Sequence, residues 1–249
     1  MVKRRKKEDG TCVFCGAVGE VTDDHVPPKN LFIGIPDDEL IKVPSCWPCN
    51  TGTSKDDEYF RVFLIPQDAV ASHPQAQKLN KRVREKFDET DHKGLEKRMY
   101  SQLHAKEVYT PAGIYLGRRD LIYPEYSRID GTLKKILKGL FFHVMETPFP
   151  SGMFHAAVVD KSQIPELQQK LQLDLSFWLE GLDRGPLHDI RDVFSFKWAG
   201  SLGPRPPISV WLLTFFGKRE FFGITYPRTL CNEIKLLDAD PSEFTRSIL

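Results

Sequence analysis

Cys12-Val13-Phe14-Cys15-Gly16 and Cys46-Trp47-Pro48-Cys49 are two Cys-x-x-Cys pairs separated by 30 residues. Five cysteines in 249 positions supply on the order of 0.1 such pair by chance, so two of them point to a common purpose. Two intervening residues let a tight knuckle aim both thiolates at one ion, and two knuckles complete a tetrahedral zinc site. Gly16 relieves backbone strain just after the first knuckle. The alternatives are two disulfides or buried free thiols; an apparently intracellular chain disfavours the first, and the paired spacing the second. A zinc closed in by four protein ligands stabilises rather than catalyses. Its binding energy, about 10–16 kcal/mol in small zinc peptides, can hold together a segment this small. Cys231 has no partner in sequence and reads as a buried small hydrophobe.

Between the pairs lies Thr22-Asp23-Asp24-His25-Val26-Pro27-Pro28-Lys29-Asn30-Leu31-Phe32, and Asn50 follows the last cysteine directly. A helix is expected to start at Ser54 as N-cap, with Asp56 and Asp57 at the positive end of its dipole. Phe60, Phe63 and Leu64 would form its buried face. These features resemble the HNH endonuclease family in its zinc-ribbon branch: the flanking cysteine pairs, the Asp24-His25-Val26-Pro27 core, and Asn50 after Cys49. The resemblance covers about residues 10–64 and implies a ββα-metal fold that holds one catalytic divalent ion against a scissile phosphodiester. It implies His25 as general base, and Asp24 and Asn50 as ligands of a catalytic Mg²⁺ or Mn²⁺. Cys12, Cys15, Cys46 and Cys49 hold structural Zn²⁺ in this reading. The family's middle Asn falls at about Ile41, with Lys42 beside it; Asn30 and Asp38 are the candidates to take its role. Lys138-Gly139-Leu140-Phe141-Phe142-His143 is similar in style to the tails of small bacterial HNH proteins.

The chemistry suits these residue types. A histidine near neutral pKa can take a proton from water. A hard divalent cation on oxygen ligands can neutralise the phosphate and the developing oxyanion. Lys29 and Lys55 flank the expected site and are candidate contacts to the nucleic-acid backbone.

Outward from this module, the expected fold class is α+β in three parts. Residues 1–65 form the zinc-binding module and residues 66–105 a helical connector. Residues 106–249 form an α+β domain with antiparallel strands, its role undecided. In the connector, Pro74 suits a first helical turn, Leu79, Val83 and Phe87 recur every four residues, and Asp91, Leu95, Met99 and Leu103 begin a second run. Val108-Tyr109, Ile114–Leu116 and Leu121–Tyr123 read as short strands punctuated by Gly and Pro. Ile129, Leu133, Ile136, Leu137, Leu140 and Phe141 share one helical stripe, with Lys134, Lys135 and Lys138 off it. Val193–Trp198, Ser209–Phe216 and Glu220–Tyr226 read as strands, the last two joined through Gly217-Lys218, and 203–207 as a stiff loop. The aromatic residues among them, together with Phe141 and Phe142, are assigned to core packing, and His143 and His155 to structural or surface roles.

Composition narrows the function classes. Lys+Arg total 35 against 34 Asp+Glu, a net charge of +1, so nucleic-acid contact must come from a local patch. Lys3–Lys7 is one candidate, and Lys78, Lys81, Arg82, Arg84 and Lys86, diluted by neighbouring acids, another. A membrane span needs about 18–20 consecutive apolar residues, and the longest run, near Ile208–Phe216, is half that and contains Ser209 and Thr214. Lys3–Lys7 is followed by Glu8-Asp9-Gly10 rather than an apolar stretch, so a cytoplasmic protein is expected. DNA is the expected partner, RNA stays open, and the C-terminal part could mediate a homo-oligomer or a protein contact. The competing reading is a catalytically inactive zinc-ribbon module that binds nucleic acid or protein. A redox protein working through its Cys-x-x-Cys pairs is a third.

Overall fold

The computed structural model describes residues 8–65, 68–87, 103–110, 112–122, 124–171, 174–200 and 208–229. Lys3–Lys7, Asp91, Leu95, Met99, residues 203–207 and Cys231 lie outside the described residues. The fold is mixed α and β, with every strand pair antiparallel.

The N-terminal part is a three-stranded sheet, β1 (Glu8–Thr11), β2 (Val18–His25) and β3 (Lys42–Cys46), in that order. Two helices follow, α1 (Trp47–Thr51) with Pro48 in its first turn, and α2 (Ser54–Leu64). Side chains alternate along a strand. On β2 this sends Thr22 and Asp24 inward, at 5% and 8% exposure, and leaves Asp23 and His25 on the other face. Thr53, not Ser54, occupies the cap position of α2; Ser54 instead donates its hydroxyl to the Thr51 carbonyl at 2.8 Å. Both are good cap residues, and the backbone turn after α1 decides between them.

Helices α3 (Asp68–Ala71) and α4 (Pro74–Phe87) follow, with Leu79 and Val83 buried. The strand pair β4 (Leu103–Tyr109) and β5 (Tyr115–Ile122) is a separate two-stranded ribbon. Leu103 therefore opens a strand rather than closing a helical run, since one apolar residue fits either periodicity. Strand β5 continues through Gly117, where a break was expected.

Helix α5 (Tyr126–Met145) carries the expected stripe, with Ile129, Leu133, Ile136, Leu137 and Leu140 all buried. Strand β6 (Phe154–Asp160) leads through helices α6 (Ile164–Leu171) and α7 (Ser176–Arg184) to β7 (His188–Ile190), β8 (Phe194–Gly200), β9 (Ser209–Phe215) and β10 (Arg219–Pro227). These make a five-stranded sheet in the order β6-β10-β9-β8-β7. The β9–β10 turn places Phe216 and Gly217 at φ 52° and 64°, the two left-handed positions that a tight hairpin needs.

Helix α5 lies between the two sheets. On one side Leu137 closes on Gly223 of β10, where an added Cβ would stand 3.1 Å from a Leu137 methyl. On the other side α5 packs on β3 and α2. Phe60 of α2 is fully buried and meets Phe215 edge-on at 5.4 Å, so one hydrophobic core runs from Val13 to Phe221. A second core, with Leu167, Leu182, Val210 and Phe222, fills the opposite face of the five-stranded sheet beneath α6 and α7.

At Gly139, α5 faces Val26 just beyond β2, where an added Cβ would lie 2.5 Å from Val26 Cγ2. Gly139→Ala gains about 1 kcal/mol of helix propensity but overpacks this contact at a cost of about 1–3 kcal/mol. Urea unfolding is expected to show net destabilisation in the wild-type background and a smaller loss, or a gain, beside Val26→Ala.

Candidate active site

The chain turns at each cysteine pair for local reasons. After β1, Gly16 takes φ 75° and its N–H donates to the Cys12 carbonyl at 2.9 Å, closing the first knuckle. The Val13 N–H donates to the Pro44 carbonyl at 3.0 Å and so binds this knuckle to β3. Cys46 ends β3 and Cys49 sits in α1. The four sulfurs lie within 4.8 Å of one another, and all four are free thiols. Cys15 Sγ and Cys46 Sγ are 3.7 Å apart. A Zn–S bond of about 2.3 Å gives a tetrahedral edge of about 3.8 Å, so the quartet fits a structural metal such as zinc.

The thiols also divide in acidity. Burial and the neighbouring sulfurs push the Cys49 thiol well up. At Cys12, burial acts in the same sense but is outweighed by hydrogen bonds from the backbone of Cys46, Cys15 and Phe14, which bring it down to about 6. A divalent cation removes this conflict, because it lets all four sulfurs ionise together.

His25 ends β2, opposite Lys42 of β3. Its side chain is 18% exposed, and Nε2 lies 2.9 Å from Asp37 Oδ1. Asp37 sits on a single 3₁₀ turn, Asp37–Glu39. The Lys29 ammonium donates to its Oδ1, and Lys42 Nζ lies 2.7 Å from its Oδ2. Lys29 first, then Lys42 and His25, hold the Asp37 carboxyl well below the usual carboxylate range. Ile41 contributes its carbonyl, which accepts the Val26 N–H at 3.0 Å. Asn30 Oδ1 is buried without a hydrogen bond, and the residue beside the His25 ring is Asp37, one position before Asp38.

Asp24 faces the other way, toward α5. Lys135 Nζ lies 2.9 Å from Asp24 Oδ2 and 3.9 Å from Asp57 Oδ2, and donates to Thr53 Oγ1 at 2.8 Å. The ammonium also stands 5.2 Å from the Phe14 ring centre. One lysine thus serves two carboxylates in a buried setting. Burial, more than the nearby Asp24 charge, lifts the Asp57 carboxyl to about 6, and its Oδ1 is buried without a hydrogen bond.

Asn50 Nδ2 donates to Thr22 Oγ1 at 2.9 Å and to the Asp23 carbonyl at 3.1 Å. A carbonyl only accepts, so the amide orientation is set and Oδ1 is the atom left for a cation. Lys29 is drawn to the His25 group through Asp37, whereas Lys55 is exposed and its carbonyl accepts from Arg128 at 2.8 Å. Asp24 and His25 are adjacent in β2 but on opposite faces, and Asn50 reaches Thr22 on the Asp24 face, so the expected base and the expected metal ligand Asp24 do not share one face. Lys135 was visible in the sequence only as a lysine off an apolar stripe, and Asp57 only as a helix-dipole residue. Asp37 carried no signal, because its pairing depends on how the loop folds back.

Among the described residues, the cysteine quartet is the one group of three or more His, Cys, Asp or Glu ligand atoms close enough to share an ion. His143 lies beside Phe196, and His155 stacks on Tyr226 with ring centres 5.5 Å apart. Among the same residues no helix is long and apolar enough to cross a membrane. No family model, curated protein or solved structure matches the chain.

Purified protein is expected to carry about one zinc per chain. Cys49→Ala should lose it and lower the thermal midpoint by roughly 10 °C, measured by metal analysis and calorimetry. Asp57 gives a pH test with a defined sign. Its carboxyl holds a proton more tightly folded, at about 6, than at its ordinary 3.8. Its contribution to stability therefore falls as pH rises from about 4 to 6 and stays low above that. Asp57→Asn should be more stable at pH 7 by up to about 3 kcal/mol and should flatten that decline in unfolding curves taken across the window.

Proposed function

We propose that the chain is a metal-dependent endonuclease of the HNH type that hydrolyses DNA phosphodiester bonds. The observation that carries this reading is the setting of His25. It stands at the end of β2 with one ring nitrogen tied to Asp37, on a sheet whose neighbouring segments converge through four cysteines.

The proposed steps follow from the side chains. His25 takes the proton of the attacking water and so raises its nucleophilicity. Asp37 stabilises the charge that the imidazole ring then carries. Lys29 and Lys42, beside the same ring, attract the phosphate backbone. Asp24 and Asn50 offer one carboxylate and one amide oxygen, the hard donors that Mg²⁺ or Mn²⁺ takes. An ion held there would supply neutralisation of negative charge on the phosphate and the leaving oxygen. The deprotonated water bonds to phosphorus as the P–O3′ bond breaks, and the leaving oxygen takes a proton from solvent, which gives 5′-phosphate and 3′-hydroxyl ends.

A second reading, a zinc-ribbon module that binds nucleic acid or protein without cleaving it, draws on the Asp24–Lys135 pair. That pair gives the expected metal ligand an internal cation at 2.9 Å. Plasmid cleavage in Mg²⁺, Mn²⁺ or EDTA separates the two. Metal-dependent nicking or linearisation is expected, falling by about 10²–10⁴ in zinc-loaded His25→Ala with DNA binding intact. No cleavage of plasmid, single-stranded DNA or RNA by the zinc-loaded wild type would leave the binding module as the function.

A further inference from the structure

We propose that Asp37 is the positioning residue of His25, fixing both the orientation of the imidazole and the nitrogen that faces the reacting water. His25 Nε2 lies 2.9 Å from Asp37 Oδ1. An ionised carboxylate only accepts hydrogen bonds, so Nε2 carries the proton and, in the neutral ring, Nδ1 carries the lone pair. Two ammonium groups keep Asp37 in that ionised, accepting state, Lys29 on Oδ1 and Lys42 on Oδ2. They also fix the carboxylate in space, because Lys42 is the cross-strand partner of His25 and Lys29 lies four residues beyond it.

The arrangement is built from four separate places: the end of β2, the 3₁₀ turn Lys29–Leu31, the 3₁₀ turn Asp37–Glu39 and the start of β3. Asp37 itself is about half exposed, at 48%, so burial does not account for its place. What holds it is the convergence of three donors on one carboxylate. This assignment does the work that the expected middle asparagine would do, from a different position in the loop and through the ring instead of the backbone. Its catalytic consequence rests on the hydrolase reading above; the hold on the ring does not.

The test measures the two separately. Long-range ¹H–¹⁵N NMR of the zinc-loaded protein, at a pH where the ring is neutral, reads the His25 tautomer directly. The wild type is expected to show the Nε2–H form alone, and Asp37→Ala a mixture of both forms. Asp37→Asn, whose amide can turn either its oxygen or its N–H to the ring, is expected to show a mixture as well. In plasmid cleavage, Asp37→Ala should lower kcat roughly 10–100-fold, the range for losing the orienting partner of a functional histidine, with KM changed far less. Asp37→Asn, which removes the carboxylate charge, should recover little of that loss. An Asp37→Ala protein that keeps one Nε2–H tautomer, or that cleaves with wild-type kcat, overturns the proposal. If the wild type cleaves nothing while Asp37→Ala still scrambles the tautomer, the hydrolase reading fails and the hold of Asp37 on the ring stands.

Discussion

The contact on which the rest of this molecule turns is that of Gly139 with Val26. Without a side chain at 139, helix α5 comes close enough to the end of β2 to bury Val26 and to bring Lys135 against Asp24. The same helix packs Leu137 onto Gly223 on its other side. Helix α5 thus joins the small three-stranded sheet to the five-stranded sheet, and Phe60 adds a second joint through Phe215 and Phe221. A module of some fifty residues has little core of its own. Here it borrows one, with α2 and α5 as the shared layer.

Charge is distributed across this joint according to the pleat of β2. The inward residue, Asp24, meets Lys135 and the buried Asp57; the outward residue, His25, meets Asp37, Lys29 and Lys42. On one face two carboxylates share one ammonium, and the Asp57 carboxyl rises chiefly through its burial and further through the Asp24 charge. On the other face Lys29 and Lys42 converge on Asp37 and keep its carboxyl strongly acidic, while the charges of Asp23 and Asp38 also reach Lys42. Adjacent positions in one strand therefore sit in different electrostatic settings only because their side chains point opposite ways.

The cysteine quartet plays a different part. It draws the end of β1, the end of β3 and the first turn of α1 to one point, and Asn50, one residue past Cys49, then reaches back to Thr22 and the Asp23 carbonyl. Neither His25 nor Asp24 touches a sulfur. The influence of the quartet on the site is to hold the backbone that carries it, as the supporting shell of a functional site must.

Much of this was legible in the sequence because it depends on local spacing. Two Cys-x-x-Cys pairs announce the quartet, a four-residue apolar repeat announces α4 and α5, and short apolar runs punctuated by turn residues announce β8, β9 and β10. Leu103 and Ser54 were misread where one residue satisfied two local patterns, a helical repeat or a strand, a cap or a first turn. What only the tertiary structure decided is which charges meet. Lys135 reaches Asp24 across 111 positions of chain, and Asp37 finds His25 through a loop whose path no short-range rule specifies. Periodicity is a property of neighbours along the chain and survives in the sequence; ion pairing is a property of neighbours in space, and it exists only after helix α5 has docked and the loop has closed.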